Sequence, residues 1–323
     1  MSLTLRDWAV QYALKDSGQD VIIEDLTKAS GLLRTMPVMP ATHNTYHRYV
    51  LAENAPSGGF RAINGSIVPN NPTQKIQQED LFELAQYETL DPSYVKDLGI
   101  SVQEAFAIGA PQTLEGMGQK LAKQFFYGTT GLGDSDGFVG LRQLSVDNSL
   151  TASMGGTEAL STTLFVIRWQ PGVMEGLLNP QFLSSGEIVT SQLLHDGETY
   201  TVITNTTNGA TKFVKGALYQ SYLGLLKAGA YNVATITNIQ DDTGDKPTVA
   251  AIEKAIEQVK GYSNPGNTMI YCNSRCYRLI QELKAAKLSS LPESDLWSSR
   301  LMSWDGLIPI VIDDNLSNLE DYS

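Results

Sequence analysis

The chain has 323 residues, 42% of them apolar and only 18% charged, with 35 acidic against 23 basic side chains and a formal net charge of −12. The apolar share excludes a disordered chain, and a charged share below the usual ~25% excludes a long solvated helix. The acidic balance excludes a protein that grips nucleic acid through its phosphates, which needs a basic face.

The length predicts two domains or one large one, and so few charges leave much neutral surface to bury, contacts between subunits being one place for it. No stretch approaches the ~18 consecutive apolar residues of a membrane span. The candidate over 307–312 is strand-sized and interrupted by Pro309. Arg6 and Asp7 stand where a secretory leader has its apolar core, so a soluble chain made in a cytosol is expected, and the two cysteines agree with a reducing compartment.

Residues 4–13 place Leu5, Trp8, Ala9, Tyr12 and Ala13 on one helical face, with Thr4 and Asp7 as a capping pair. A second short helix over 21–30 has Ile22, Leu26, Ala29 and Leu33 on one side and Gly31 at its end. Pro37 and Pro40 force an extended exit, and the aromatic and β-branched residues of 42–51 predict a strand. Glycines 58, 59 and 65 and prolines 56, 69 and 72 then make a turn-rich tip, followed by a second extended or mixed segment over 74–91. Two long arms about such a tip predict a projecting hairpin with little core of its own. Connections of that length are usually functional or disordered.

Ser101 and Glu104 form a capping box before a helical region reaching to Phe126, with Leu114, Met117, Leu121 and Phe125 at a 3.6 period. Gly109 and Pro111 interrupt it, which predicts a kinked long helix or two helices. It stops at Tyr127-Gly128, before the loop 129–138. From about 158 to 240 the chain is β-rich. Over 160–169 both alternating sets are largely apolar or threonine, and His195-Asp196-Gly197 and Thr207-Asn208-Gly209 are hairpin-turn signals. After 244 the pattern becomes α/β. Asp245 before Pro247 starts a helix burying Val249, Ile252, Ile256 and Val259 and ending at Gly261. A strand over 268–271, Asn273 or Ser274 as N-cap, and a helix carrying Cys276, Leu279, Ile280 and Leu283 follow. Trp304-Asp305-Gly306 then turns into a last strand, where Pro309 predicts an edge position or a bulge.

Catalytic and metal signatures are absent from this pattern. The glycine loop 131–137 lacks a Gly-Lys-Ser/Thr ending and follows a helix, and Asp134-x-Asp136-Gly137 has no glutamate to close a calcium loop, so a surface turn is expected. His43 and His47 fall on one strand about 13 Å apart by strand rise, too far to share a metal. Cys272 and Cys276 would need two more ligands and read as ordinary, partly buried thiols. His195 sits in a turn, and no nucleophile elbow exists. Asp313, Asp314, Glu320 and Asp321 read as a solvated strand end. No catalytic residue, cofactor or metal site is expected, and the chain is expected not to be an enzyme.

The order of elements, together with Phe126-Tyr127-Gly128 at the end of the long helix, Gly137-Phe138-Val139-Gly140-Leu141 soon after it and Gly306-Leu307-Ile308-Pro309-Ile310 late in the chain, resembles the major capsid proteins of tailed bacteriophages, the Hong Kong 97-type fold, and within them a podovirus-like branch. The resemblance implies an α+β fold with an N-terminal arm (1–36) and an extended β-hairpin loop (37–91) lying over a neighbouring subunit. It implies a peripheral domain (92–243) with a spine helix and a β-rich insertion, and an axial α/β domain (244–323). The implied function is a head protein that self-assembles into hexamers and pentamers, forming an icosahedral shell around double-stranded DNA without sequence-specific binding. The implied locations are the virion and, during assembly, the host cytoplasm. Other copies of the chain are the main partners, with a portal and a decoration protein. A separate scaffolding protein is expected because the chain starts almost directly at the arm. Gly58, Gly59, Phe60 and Arg61 at the loop tip are the candidate subunit contacts. Two alternatives are a carboxylate-based hydrolase and a trimeric β-rich fibre or surface-binding protein, the latter opposed by at least five candidate helices.

Overall fold

The computed structural model of the chain describes residues 3–5, 7, 26–66, 69–129, 132–156, 160–181, 189–205, 210–242, 244–283, 288–290 and 302–320. At the N-terminus the capping pair is in place: the Thr4 N–H donates to Asp7 Oδ2 at 2.9 Å and the Asp7 N–H to Thr4 Oγ1 at 3.2 Å. Leu3–Thr4 forms a short strand, β1. The rest of the expected helix over 4–13, and residues 21–25 of the next, lie outside the described residues. Residues 26–28 are helical, but Gly31 does not end that helix. It opens α1 (Gly31–Thr35), because Ser30 is in extended backbone and its Oγ accepts the Leu33 N–H at 3.3 Å, satisfying an orphan donor of the first turn.

The proline exit forms β2 (Pro37–Pro40). Then come β3 (Tyr46–Asn54), β4 (Thr73–Asp80), β5 (Phe82–Leu90), α2 (Pro92–Leu98) and the long helix α3 (Val102–Tyr127). In α3 the capping box is complete: Ser101 Oγ accepts the Glu104 N–H at 3.2 Å, and Glu104 Oε2 accepts the Ser101 N–H at 2.8 Å. Its 26 residues run without a break through Pro111. An internal proline costs about 3 kcal/mol, whereas each large apolar side chain buried on the inner face contributes about 1.5–3 kcal/mol. That face holds Phe106, Leu114, Met117, Leu121 and Phe125, so burial wins. Gly109 is a contact position rather than a breaker, since a Cβ there would lie 2.5 Å from Glu88 Oε1 on β5.

The chain continues through α4 (Leu141–Asp147), β6 (Thr151–Ser153), β7 (Thr162–Arg168), β8 (Met174–Leu178), β9 (Thr190–Leu193), β10 (Tyr200–Asn205) and β11 (Ala210–Lys227). The first large sheet is organised on β11. β5 pairs antiparallel with residues 215–223, and β9 with 217–220 on the opposite edge. β10 and β8 pair with the two ends of β11, and β2 joins β8 in parallel. Two expectations are corrected here. The second arm over 74–91 divides at Leu81: β4 returns along β3, but β5 is a strand of the large sheet. The His195-Asp196 turn has both residues at φ 52, as a primed turn requires, yet β9 and β10 do not pair with each other. Each pairs with β11, end to end. Residues 206–209 lie outside the described residues, while the flanking β10 and β11 pair antiparallel.

The second sheet has the order β14-β15-β16-β13-β7-β12-β6, with β12 (Val233–Ile239), β13 (Thr268–Cys272), β14 (Leu288–Ser290), β15 (Met302–Trp304) and β16 (Ile308–Ile312). β7 is buried along its length, and its period-2 alternation serves two cores. Leu164 and Val166 pack with Ile252, Ile256, Cys276 and Leu279 of α5 (Val249–Gln258) and α6 (Ser274–Glu282). Phe165 and Ile167 join the end of α3, with Phe126 and Phe165 rings 5.1 Å apart. Thr248 caps α5 in place of Asp245, its Oγ1 accepting the Ala251 N–H at 3.2 Å, and the helix ends at Gln258, short of Gly261. Asn273 caps α6. Cys272 and Cys276 are free and fully buried in this core, more deeply than expected.

Two further expectations fail at the C-terminus. β16 is not an edge strand, because β15 pairs on one side and β13 on the other. Pro309 pairs with Ser303 of β15, and the parallel ladder to β13 begins one residue later, at Ile310. The acidic tail is solvated only in part: Asp314 is exposed, while Asp313 and Glu320 are buried. Asp313 is buried and caps α1, its Oδ2 accepting the Leu32 N–H at 2.9 Å and the Ser30 hydroxyl. Glu320 is also buried and accepts the hydroxyls of Tyr127 and Thr163. Asp314 takes the Ser274 N–H at 2.9 Å, and Asp321 lies outside the described residues.

Candidate assembly surface

β3 and β4 pair antiparallel from Tyr46↔Asp80 to Ala52↔Gln74 and, past a bulge, at Asn54↔Thr73. No other described strand joins them. A lone two-stranded hairpin is marginal in water, so its root has to be held by the body. Lys227 of β11 reaches Glu79 at 3.1 Å, and the Tyr49 hydroxyl donates to Glu79 at 3.1 Å and to Gln77 at 2.9 Å. His47 is buried, and its Nδ1 accepts the Thr42 N–H at 3.2 Å. A small core of Ala41, Leu81, Leu177 and Leu226, packed by Tyr49 and Tyr222, closes the root. Burial lowers the His47 pKa, disfavouring the charged imidazolium. Burial and the adjacent Glu79 carboxylate hold the Tyr49 phenol well above its ordinary value. His43 does not share the strand with His47; it sits on a bend before β3, stacked on Tyr46 at 4.2 Å.

Beyond Tyr49 only Leu51 of β3 remains half-buried. Val50 and Ile76 are cross-strand partners on one face and are 60% and 72% exposed. At the tip Gly58, Gly59, Phe60 and Arg61 are all exposed, the Phe60 ring completely. A Cβ at Gly58 or Gly59 would meet nothing within 4 Å. Arg61 donates one hydrogen bond, at 3.2 Å, to the Gly65 carbonyl of its own loop. Exposed apolar side chains gathered on a projecting element mark a contact surface. The tip glycines and their neighbours were legible from turn composition. Val50, Ile76 and the Tyr49–Glu79–Lys227 anchor were not, since their significance comes from a register and from a strand far along the chain.

A second feature lies where α3 ends. Gly128 adopts φ 64, ψ −133, a conformation close to glycine-only, and its backbone touches that of Gly140. A Cβ on Gly128 would lie 2.0 Å from the Gly140 nitrogen, and one on Gly140 would lie 2.3 Å from the Gly128 nitrogen. The intervening loop folds back on the helix. Gln124 Nε2 donates to the Phe138 carbonyl at 2.7 Å, Gln124 Oε1 accepts the Asp134 N–H at 2.8 Å, and Lys120 pairs with Asp134 at 2.7 Å. The hydrogen bond from Lys120 holds the Asp134 carboxyl below its ordinary pKa. Phe138 packs on Phe125 at 4.8 Å. The loop, β5, α3 and Leu223 of β11 line an open pocket of about 390 Å³. Among the described residues no group of three or more His, Cys, Asp or Glu side chains is arranged to hold a metal ion, and no helix is long and apolar enough to cross a membrane.

The family model for major capsid protein GP7 matches residues 15–322. None of the curated proteins matches the chain. Among solved structures, the cryo-EM structure of bacteriophage Epsilon15 superposes with a TM-score of 0.54 at 14% identity, covering 86% of this chain and 84% of that one. The bacteriophage JBD30 capsid superposes with a TM-score of 0.50 at 11% identity, covering 95% of this chain and 98% of that one. At these identities the likeness speaks for the fold, which is the α+β, Hong Kong 97-type architecture of phage capsid proteins. The match along nearly the whole sequence speaks for the family: the chain belongs to the major capsid protein GP7 family, as a structural subunit of a tailed-phage capsid.

Proposed function

We propose that the chain closes into an icosahedral shell of hexamers and pentamers around double-stranded DNA, each copy laying its hairpin over a neighbour. The hairpin carries this reading, because its root is anchored while Val50, Ile76, Phe60 and Ile63 beyond the root are exposed. Ordering backbone costs about 1–2 kcal/mol per residue, and this arm recovers little of that by burial in its own chain. Docking on another copy offsets the cost. Heterologous contacts that close give rings, and weak contacts repeated over a shell give avidity.

In this reading residues 1–36 are the N-terminal arm and the extended loop expected over 37–91 projects only over 46–80, since β2 and β5 at its two ends belong to the large sheet. Residues 92–243 supply the peripheral domain and 244–323 most of the axial domain, whose sheet is completed by β6, β7 and β12 from the earlier segment, and Gly58, Gly59, Phe60 and Arg61 touch the neighbour. The net charge of −12 supports a container that encloses DNA without gripping it. The same charge makes copies repel at long range, which supports help from a separate scaffolding protein. A portal, a decoration protein and assembly in the host cytoplasm follow from the family resemblance and belong to the same proposal. A structural family supports a non-enzymatic role, and neither the hydrolase nor the fibre alternative finds support in the family match.

The test replaces residues 56–72 with a short Gly-Ser turn. The variant should keep the circular dichroism and melting temperature of the parent subunit, and negative-stain microscopy should find shells from the parent and none from the variant. Shells from both at equal yield would overturn the contact role of the hairpin.

A further inference from the structure

We infer that the cavity between β5, α3 and the glycine loop is the receiving site for the hairpin tip of a second copy, Phe60 entering its apolar floor and Arg61 meeting its acidic rim. This rests on the hairpin acting between copies and adds where it lands. The cavity, about 390 Å³, falls in the range of about 300–1,000 Å³ typical of binding pockets. Its floor is apolar, with Leu121, Phe138 and Leu223 beneath Phe82 and Leu84. Its rim carries Glu83, Asp134 and Asp136 against the single cation Lys120, and Lys120 is already paired with Asp134. Asp136 is exposed and has no ion pair among the described residues, and Glu83 is bonded only to neutral donors, accepting from Gln220.

The arm is the chemical complement. Residues 54–78 contain Arg61 and Lys75 and not one acid, in a chain with 35 acidic against 23 basic residues. Phe60 and Arg61 are adjacent, so one short segment offers both a ring and a guanidinium. The full exposure of Phe60 shows that its own chain does not supply the pocket it fits. Opposite charge on arm and rim steers encounter and fixes register. The receiving wall is set in advance by the Gly128–Gly140 backbone contact and the Gln124 hydrogen bonds, which reduces the ordering cost of docking.

The test leaves Phe60, Arg61 and Asp136 intact. Gly59→Cys and Ser135→Cys are combined in one chain, both positions being exposed and the native Cys272 and Cys276 buried. Oxidised particles should give covalent multimers on a non-reducing gel, with neither single variant doing so. Shells that form without this linkage would overturn the cavity as receiving site and leave the hairpin contact standing. A parent chain that never assembles would defeat the contact reading itself. Charge exchange decides the case in which the double-cysteine chain fails to assemble. Arg61→Glu should raise the critical concentration for assembly about tenfold or more, and adding Asp136→Lys should restore it. Arg61→Glu assembling as well as the parent, or no rescue by Asp136→Lys, would overturn the inference.

Discussion

Alanine at Gly140 tests the contact that ends α3. The added Cβ would lie 2.3 Å from the Gly128 nitrogen and 2.8 Å from both the Gly128 Cα and the Tyr127 carbonyl carbon. All three are backbone atoms, so no change of rotamer relieves the overlap, and the loop has to lift from the helix. Overpacking of this kind costs about 1–3 kcal/mol. Lifting the loop also stretches the two short hydrogen bonds that Gln124 makes to Phe138 and Asp134, each contributing about 1 kcal/mol net. The expected loss is therefore about 3–5 kcal/mol in subunit stability. Urea unfolding of the unassembled subunit, followed by tryptophan fluorescence, measures it, with Gly58→Ala as control. At Gly58 the new Cβ meets nothing within 4 Å, and a change within about 0.5 kcal/mol is expected. Coincident unfolding curves for the two variants would refute the backbone contact as the reason for glycine at position 140.

Three further outcomes are expected. The lowered pKa of His47 means that as pH falls below the ordinary imidazole value of 6.5 the unfolded chain binds more protons than the folded one. The hairpin root is then fully stable above that pH and loses stability as pH falls toward the folded-state value. Hydrogen-exchange protection across β3 and β4 should drop in the parent as pH is lowered below 6.5, and an equal drop in His47→Gln would contradict this. Glu320→Ala removes the acceptor of the Tyr127 and Thr163 hydroxyls and should cost about 2–4 kcal/mol. Glu320→Gln, which keeps an acceptor oxygen, should cost clearly less in the same unfolding assay, and equal losses would show that the hydrogen bonds are not what matters. Copies carrying −12 repel over a screening length of about 10 Å at 0.1 M salt and about 3 Å at 1 M. Shell yield by light scattering should therefore rise with salt, and a steady fall would count against repulsion as the barrier.

Much of the architecture was legible where the signal is local. The capping box at Ser101 and Glu104, the two-faced alternation of β7 and the turn chemistry at 55–72 each depend on residues a few positions apart, and each matches the structure. Pairing partners were not legible. Phe82–Leu90 read as part of the hairpin because it follows β4 directly, yet its partner is β11, more than a hundred residues later in the chain. The buried roles of Asp313 and Glu320 depend on Ser30, Leu32, Tyr127 and Thr163, and no local pattern distinguishes such carboxylates from solvated ones. The family motifs were visible as letters. Their physical content, two glycine backbones in contact, appears only when the helix end and the loop are seen together. The candidate tip residues were found by composition, while the cavity inferred to receive them is assembled from three separate segments and has no linear signature.

Cryo-electron microscopy of the purified chain under assembly conditions tests the central claim most directly. Closed icosahedral particles built of hexamers and pentamers, with density for residues 46–80 of each copy lying on its neighbour, are the expected result. A chain that stays monomeric at every concentration and salt tried, or that stops at stable trimers, would contradict it.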